Sequence, residues 1–86
     1  MEFVATPEFL ERYERLSDPA AECVDDAIRR LTADPGSAWA RQNRVVGEHG
    51  SAWLFPIRCG QEDRALYWRQ PESHDDPIQL LLLLER

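Results

Sequence analysis

The sequence contains no lysine, only two cysteines and no long apolar run. All ten of its basic residues are arginines. Cys23 and Cys59 are too few for a disulfide framework or a metal site, so we interpret them as free thiols in a reducing cytoplasm. The longest apolar run, Leu80 to Leu84, is far shorter than the roughly 20 residues that cross a membrane. The first residues lack the basic start and apolar core of a signal peptide. These absences predict a soluble, cytoplasmic protein.

Chain length and composition predict a single small domain. The 86 residues, of which 43% are hydrophobic, leave no room for a second core. We therefore expect one domain spanning residues 1–86, without cofactor or metal. The local sequence His74-Asp75-Asp76 offers metal-ligand chemistry but no further ligands, so it is interpreted as a solvated turn.

Acidic residues dominate the charge, but unevenly. Sixteen acids against ten arginines give a net charge of −6. Residues 1–34 hold nine acids and four arginines, which gives −5. Residues 35–69 hold five arginines and three acids, which gives +2, and residues 70–86 return to −3. Because nucleic-acid binders are usually basic, any site for a phosphate is expected in the middle third.

The first half of the chain predicts a short strand and two helices. Residues 2–6 form the strand. Thr6 followed by Pro7 is a typical helix start, since threonine caps the free amides and proline suits the first helical position. Ser17-Asp18-Pro19 ends this helix and caps the next, which stops at Asp34-Pro35-Gly36. Apolar residues recur at helical spacing in both helices, at Phe9, Leu10, Tyr13, Leu16, Ala20, Val24, Ala27, Ile28 and Leu31.

The second half predicts antiparallel strands. Apolar runs at Trp53–Ile57, Ala65–Trp68 and Ile78–Leu84 are separated by turn residues, and a further strand is expected around Arg44 to Val46. The last run is apolar on both faces, which favours an interior strand. The predicted fold class is α+β: a short N-terminal strand, a helical hairpin, then an antiparallel meander of three to four strands, with both helices on one face.

This arrangement resembles the RelE/ParE toxin superfamily. The resemblance rests on the helix Thr6-Pro-Glu-Phe-Leu-Glu-Arg-Tyr-Glu-Arg-Leu16, the helix end Ala27 to Pro35, and the strand pair from Gly50 to Trp68. Members commonly show a glycine–aromatic strand that ends in arginine, followed by Arg-x-x-Tyr. Here those positions are Arg58 and Arg64-Ala-Leu-Tyr67, and the chain ends on an apolar strand leading to Arg86.

The resemblance implies a toxin of a type II toxin–antitoxin pair, a metal-independent endoribonuclease that cleaves mRNA on the ribosome. Such chemistry needs cations around the phosphate and an acid–base pair. Arg58, Arg64 and Arg86 match the basic positions of the family. Arg58 and Arg64 flank a short turn, so they are expected nearly opposite each other on adjacent strands. Glu48 and His49 lie where some relatives place a catalytic glutamate, whereas the relatives' C-terminal histidine or tyrosine has no counterpart.

Other interpretations remain open. The arginines can instead pair with Glu48, Glu62, Asp63 and Glu85, which lie close in sequence. The same fold can act as a ParE-like inhibitor of DNA gyrase, or as a non-catalytic module that only binds a protein. In each toxin hypothesis the expected partner is a cognate antitoxin. Because the helical hairpin is acidic, the antitoxin segment that crosses residues 8–26 is expected to carry arginine or lysine.

Overall fold

A computed structural model describes residues 3–47, 50–70 and 77–85 of the chain. These residues form an α+β fold in which one short strand is followed by two helices and then by four strands. Their bounds are β1 Phe3–Ala5, α1 Pro7–Glu14, α2 Asp18–Ala33, β2 Asn43–Gly47, β3 Gly50–Cys59, β4 Glu62–Arg69 and β5 Ile78–Glu85. No helix of these described ranges is long and apolar enough to cross a membrane.

Both helix starts lie where the sequence predicts them. The Thr6 hydroxyl accepts a hydrogen bond from the Phe9 amide at 3.2 Å, and Pro7 opens α1. The Ser17 hydroxyl accepts one from the Ala20 amide at 3.4 Å at the start of α2. These bonds satisfy amides that have no partner inside the helix. Thr6 also donates to the carbonyl of Leu81 at 2.6 Å, which ties the start of α1 to β5.

The sheet has five strands in the order β1-β5-β4-β3-β2. The four strands β2 to β5 form the predicted antiparallel meander, and the expected strand near Arg44 is the edge strand β2. The short β1 pairs with β5 in parallel, so the sheet is mixed. Leu80–Leu84 therefore lies on an interior strand, between β1 and β4, as its apolar faces predict.

The core lies on the face of the sheet that the helices cover. It combines apolar residues of α1 and α2 with alternate residues of the strands. Trp68 is fully buried there, and its indole nitrogen donates to the carbonyl of Ala40 at 3.2 Å. Trp53, directly opposite on β3, packs against this core and is half-buried. Both tryptophans thus act as packing residues. The largest fully buried side chains are Trp68, Leu31, Leu66, Ile78, Leu80 and Val24.

The prediction of two free thiols is wrong, because Cys23 and Cys59 form a disulfide bond. Cys23 lies on α2 and Cys59 ends β3, and both contact the core. The packing of α2 against the sheet brings their Cα atoms to 5.9 Å, within the range that a disulfide spans. Sequence spacing could not show this proximity, since 36 positions separate the two residues. Disulfides are rare in reducing compartments, so the argument from free thiols to the cytoplasm no longer holds.

Candidate functional site

The register of β3 and β4 separates Arg58 from Arg64. The two strands are joined by a two-residue turn, Gly60-Gln61, in which Gly60 adopts a φ of +67°. This turn places Arg58 opposite Asp63 and Arg64 opposite Ile57. The side chains of neighbouring residues in a strand point to opposite faces of the sheet, so residues that are offset by one position in the register point to different faces. The two arginines therefore lie on different faces of the sheet. The register therefore does not place their side chains nearly opposite each other, as was expected.

The Arg58 side chain is exposed to solvent near the end of β3. Its side chain is 81% exposed, and its nearest anionic partner is Asp63, at 3.8 Å between Nε and Oδ1. An exposed pair at this distance contributes little to stability and leaves the guanidinium hydrated. Arg58 thus has the surroundings of an ordinary solvated surface arginine.

Arg64 is buried on the helix face. Its side chain is only 6% exposed, and its Nη2 donates to Glu62 Oε2 at 2.7 Å. Glu85 Oε1 lies 3.9 Å from the same nitrogen, too far for a hydrogen bond. Arg64 Nε and Nη1 are buried and have no hydrogen-bond partner among the described residues. A buried hydrogen-bond donor without a partner lowers the stability of the folded state by about 1–3 kcal/mol.

The other three predicted site residues, Glu48, His49 and Arg86, lie outside the described residues.

An apolar groove occupies the uncovered face of the sheet, which is the face that no described helix covers. Its volume is about 670 Å³. The register places Val45 beside Ala52 and Tyr67 beside Leu82, all on the face that no described helix covers. These side chains are half-buried. The full lining is Thr6, Glu8, Val45, Gly47, Gly50, Ser51, Ala52, Tyr67, Arg69, Leu81 and Leu82.

The groove combines its apolar floor with two polar groups from β4. Tyr67 and Arg69 are two residues apart on one strand, so they share the uncovered face. The Arg69 guanidinium donates to Gln79 Oε1 from Nε at 3.1 Å and from Nη2 at 2.6 Å, which holds it against β5. The sequence analysis includes Tyr67 only as part of the Arg-x-x-Tyr pattern and gives Arg69 no role. The signal available in the sequence was the alternation along β4, which places Arg64, Leu66 and Trp68 on one face and Ala65, Tyr67 and Arg69 on the other.

The rim of the groove leads to an acidic surface. Glu8 lines the groove at the start of α1, and residues 8–26 carry seven acids against Arg12 and Arg15. Arg15 is paired with Glu11 at 2.9 Å, which leaves an excess of exposed carboxylates. Asp25 accepts a hydrogen bond from the Tyr13 hydroxyl at 2.7 Å and fixes α1 against α2. This bond raises the pKa of Tyr13, with smaller contributions from burial and from the charge of Asp25.

The comparisons with known proteins assign no family. No family model, curated protein or solved structure matches this chain. The likeness to RelE/ParE toxins therefore rests on the sequence motifs alone.

Proposed function

We propose that this chain is a protein-binding domain of the RelE/ParE toxin type that takes a partner segment on its uncovered sheet face and performs no RNA cleavage itself. One observation carries the proposal: the two predicted cations that the structure describes, Arg58 and Arg64, lie on different faces, while the largest apolar groove described lies on the open face. Exposed apolar surface on a small domain is typical of a partner site.

The partner segment is a basic, amphipathic stretch of a cognate antitoxin. Its apolar side chains fill the groove between Val45, Ala52 and Leu82. Its arginines or lysines cross the rim at Glu8 and meet the acidic helical hairpin. Charge complementarity supports this choice, because a domain of net charge −6 attracts a basic segment and repels nucleic acid.

Two other toxin hypotheses assign the domain a different target, DNA gyrase or messenger RNA. A ParE-like inhibitor of DNA gyrase also acts by protein contact, so it fits the same groove without chemistry. The ribosome-dependent endoribonuclease needs cations close to one phosphate, and Arg58 and Arg64 do not provide them together. The ribonuclease hypothesis therefore ranks below protein binding.

Binding of a groove variant tests the proposal. The probe is the small protein encoded beside this gene, titrated into the purified domain by calorimetry. Leu82→Asp places a charge on the groove floor and is expected to weaken binding at least about tenfold, since an unpaired charge is costly against apolar side chains. Val46→Asp is the matched control, because Val46 is 76% exposed and does not line the groove.

The two variants separate the outcomes clearly. Loss of binding in Leu82→Asp, with wild-type affinity in Val46→Asp, supports the groove as the partner site. Equal affinity of all three proteins refutes it. A neighbouring protein whose binding segment is strongly acidic refutes the predicted charge of the partner.

A further inference from the structure

Arg64 combines deep burial with unused donors. The guanidinium group carries five N–H donors, of which only Nη2 is engaged, by Glu62. Nε and Nη1 have no partner in the described part of the chain, although the side chain is only 6% exposed. Buried polar groups of folded proteins nearly always have partners. The unused donors therefore indicate a ligand or ordered group that completes their hydrogen bonds.

A cavity beside Arg64 has room for such a group. It measures about 240 Å³ and lies between the end of α1 and strands β4 and β5. Its lining is Arg12, Arg15, Leu16, Arg64, Leu83 and Glu85. Arg12 and Arg15 are one helical turn apart, so they approach the cavity from the same side of α1. Three arginines thus line one small space in a chain of net charge −6.

We propose that this cavity, the three-arginine pocket, binds a small tetrahedral oxyanion such as inorganic phosphate. Arginine forks match the oxygens of phosphate, and Arg64 is held rigid by its burial. A cavity of 240 Å³ holds a phosphate and a few waters but is smaller than typical pockets for nucleotides or drug-sized ligands. The pocket is separate from the groove, because it lies on the helix face.

The acids around the pocket limit its affinity. Glu11 pairs with Arg15, Glu62 pairs with Arg64, and Glu85 lines the cavity while remaining 79% exposed. The C-terminus of α1 adds a partial negative charge. Net attraction at long range is therefore small, and affinity comes from hydrogen bonds at short range. We expect a dissociation constant on the order of 1 mM at neutral pH.

Nuclear magnetic resonance of the arginine side chains tests the pocket directly. The purified domain is titrated with potassium phosphate, against potassium chloride at equal ionic strength, and the Nε–H signal of Arg64 is followed. The variants are Arg12→Gln and Arg15→Gln. Arg29→Gln is the matched control for Arg15→Gln: both arginines are 70% exposed and each pairs with an acid on its own helix. Arg29 does not line the pocket.

The proposal predicts a saturable shift of the Arg64 signal in wild type and in Arg29→Gln. Loss of one guanidinium is expected to weaken binding about tenfold in Arg12→Gln and in Arg15→Gln. A signal that does not respond to phosphate, or that responds equally to chloride, overturns the proposal. A saturable shift with the same affinity in all four proteins overturns the three-arginine pocket as its cause.

Discussion

Removal of the disulfide bond should cost the domain a large part of its stability. Cys23 and Cys59 are 36 positions apart, so their bond closes a long loop between α2 and the end of β3. Such a cross-link restricts the unfolded chain, and the loop-entropy relation for this length gives about 4 kcal/mol. The substitution pair Cys23→Ser and Cys59→Ser removes the bond with little change in side-chain size.

A loss of about 4 kcal/mol is large compared with the total free energy of unfolding of a small domain. A domain of 86 residues has a free energy of unfolding of about 4–13 kcal/mol. We therefore expect the double variant to unfold at a much lower urea concentration than the oxidised wild type. Trp68 reports the transition by fluorescence, since it is fully buried in the native state. Adding a thiol reductant should lower the midpoint of the wild type and leave that of the double variant unchanged.

Two results would refute this reasoning. Identical midpoints for wild type with and without reductant would mean that the bond adds nothing to stability. Two titratable thiols in the folded, air-oxidised protein would mean that the cysteines are free, as the sequence first indicated.

The remaining stability predictions concern single residues. Hydrogen bonding to Asp25 raises the pKa of Tyr13 above its ordinary 10.0. The stability that this hydrogen bond adds to the fold is therefore complete below pH 10 and falls as the pH rises through the raised pKa. Tyr13→Phe should lower the free energy of unfolding, measured with urea at pH 7, by about 1 kcal/mol and should not show the decline at alkaline pH. Equal stability of the variant and the wild type at pH 7 would contradict a stabilising role of this hydrogen bond. Gly60→Ala should cost about 1–2 kcal/mol, because Gly60 has a φ of +67°. Gly36→Ala is its control, since a Cβ there meets no atom within 4 Å, and equal losses in both variants would argue against strain at Gly60.

Most of the fold could be predicted from local sequence, because helix starts and apolar faces depend on residues that are close in the chain. Thr6-Pro7 and Ser17 marked the two helix starts, because capping depends on neighbouring residues alone. The apolar faces of Leu80–Leu84 indicated an interior strand, and β5 is one. The parallel pairing of β1 with β5 was not foreseen, since it joins the two ends of the chain and leaves no local signal.

The site was predicted less well, because it depends on register and on distance in space. The sequence Cys59-Gly-Gln-Glu62 contains the signal of a two-residue hairpin with glycine first. A two-residue turn places Arg58 and Arg64 on different faces, whereas the expectation that they stand nearly opposite each other requires a longer turn. The disulfide depends on how α2 packs against β3, which neither segment determines alone. The burial of Arg64 likewise depends on how the end of α1 packs against β5 beside it.

Integrity of messenger RNA tests the central claim, that the domain binds protein and does not cut RNA. Wild type and Arg58→Ala are expressed in a bacterial host without the antitoxin, and full-length transcripts are followed by northern blotting and primer extension. Transcripts are expected to stay intact in both strains, whether or not growth stops. Growth arrest with DNA breaks and intact mRNA would identify the gyrase-type target. New cleavage ends in transcripts from the wild-type strain, absent from an empty-vector strain, would show that the domain cuts RNA.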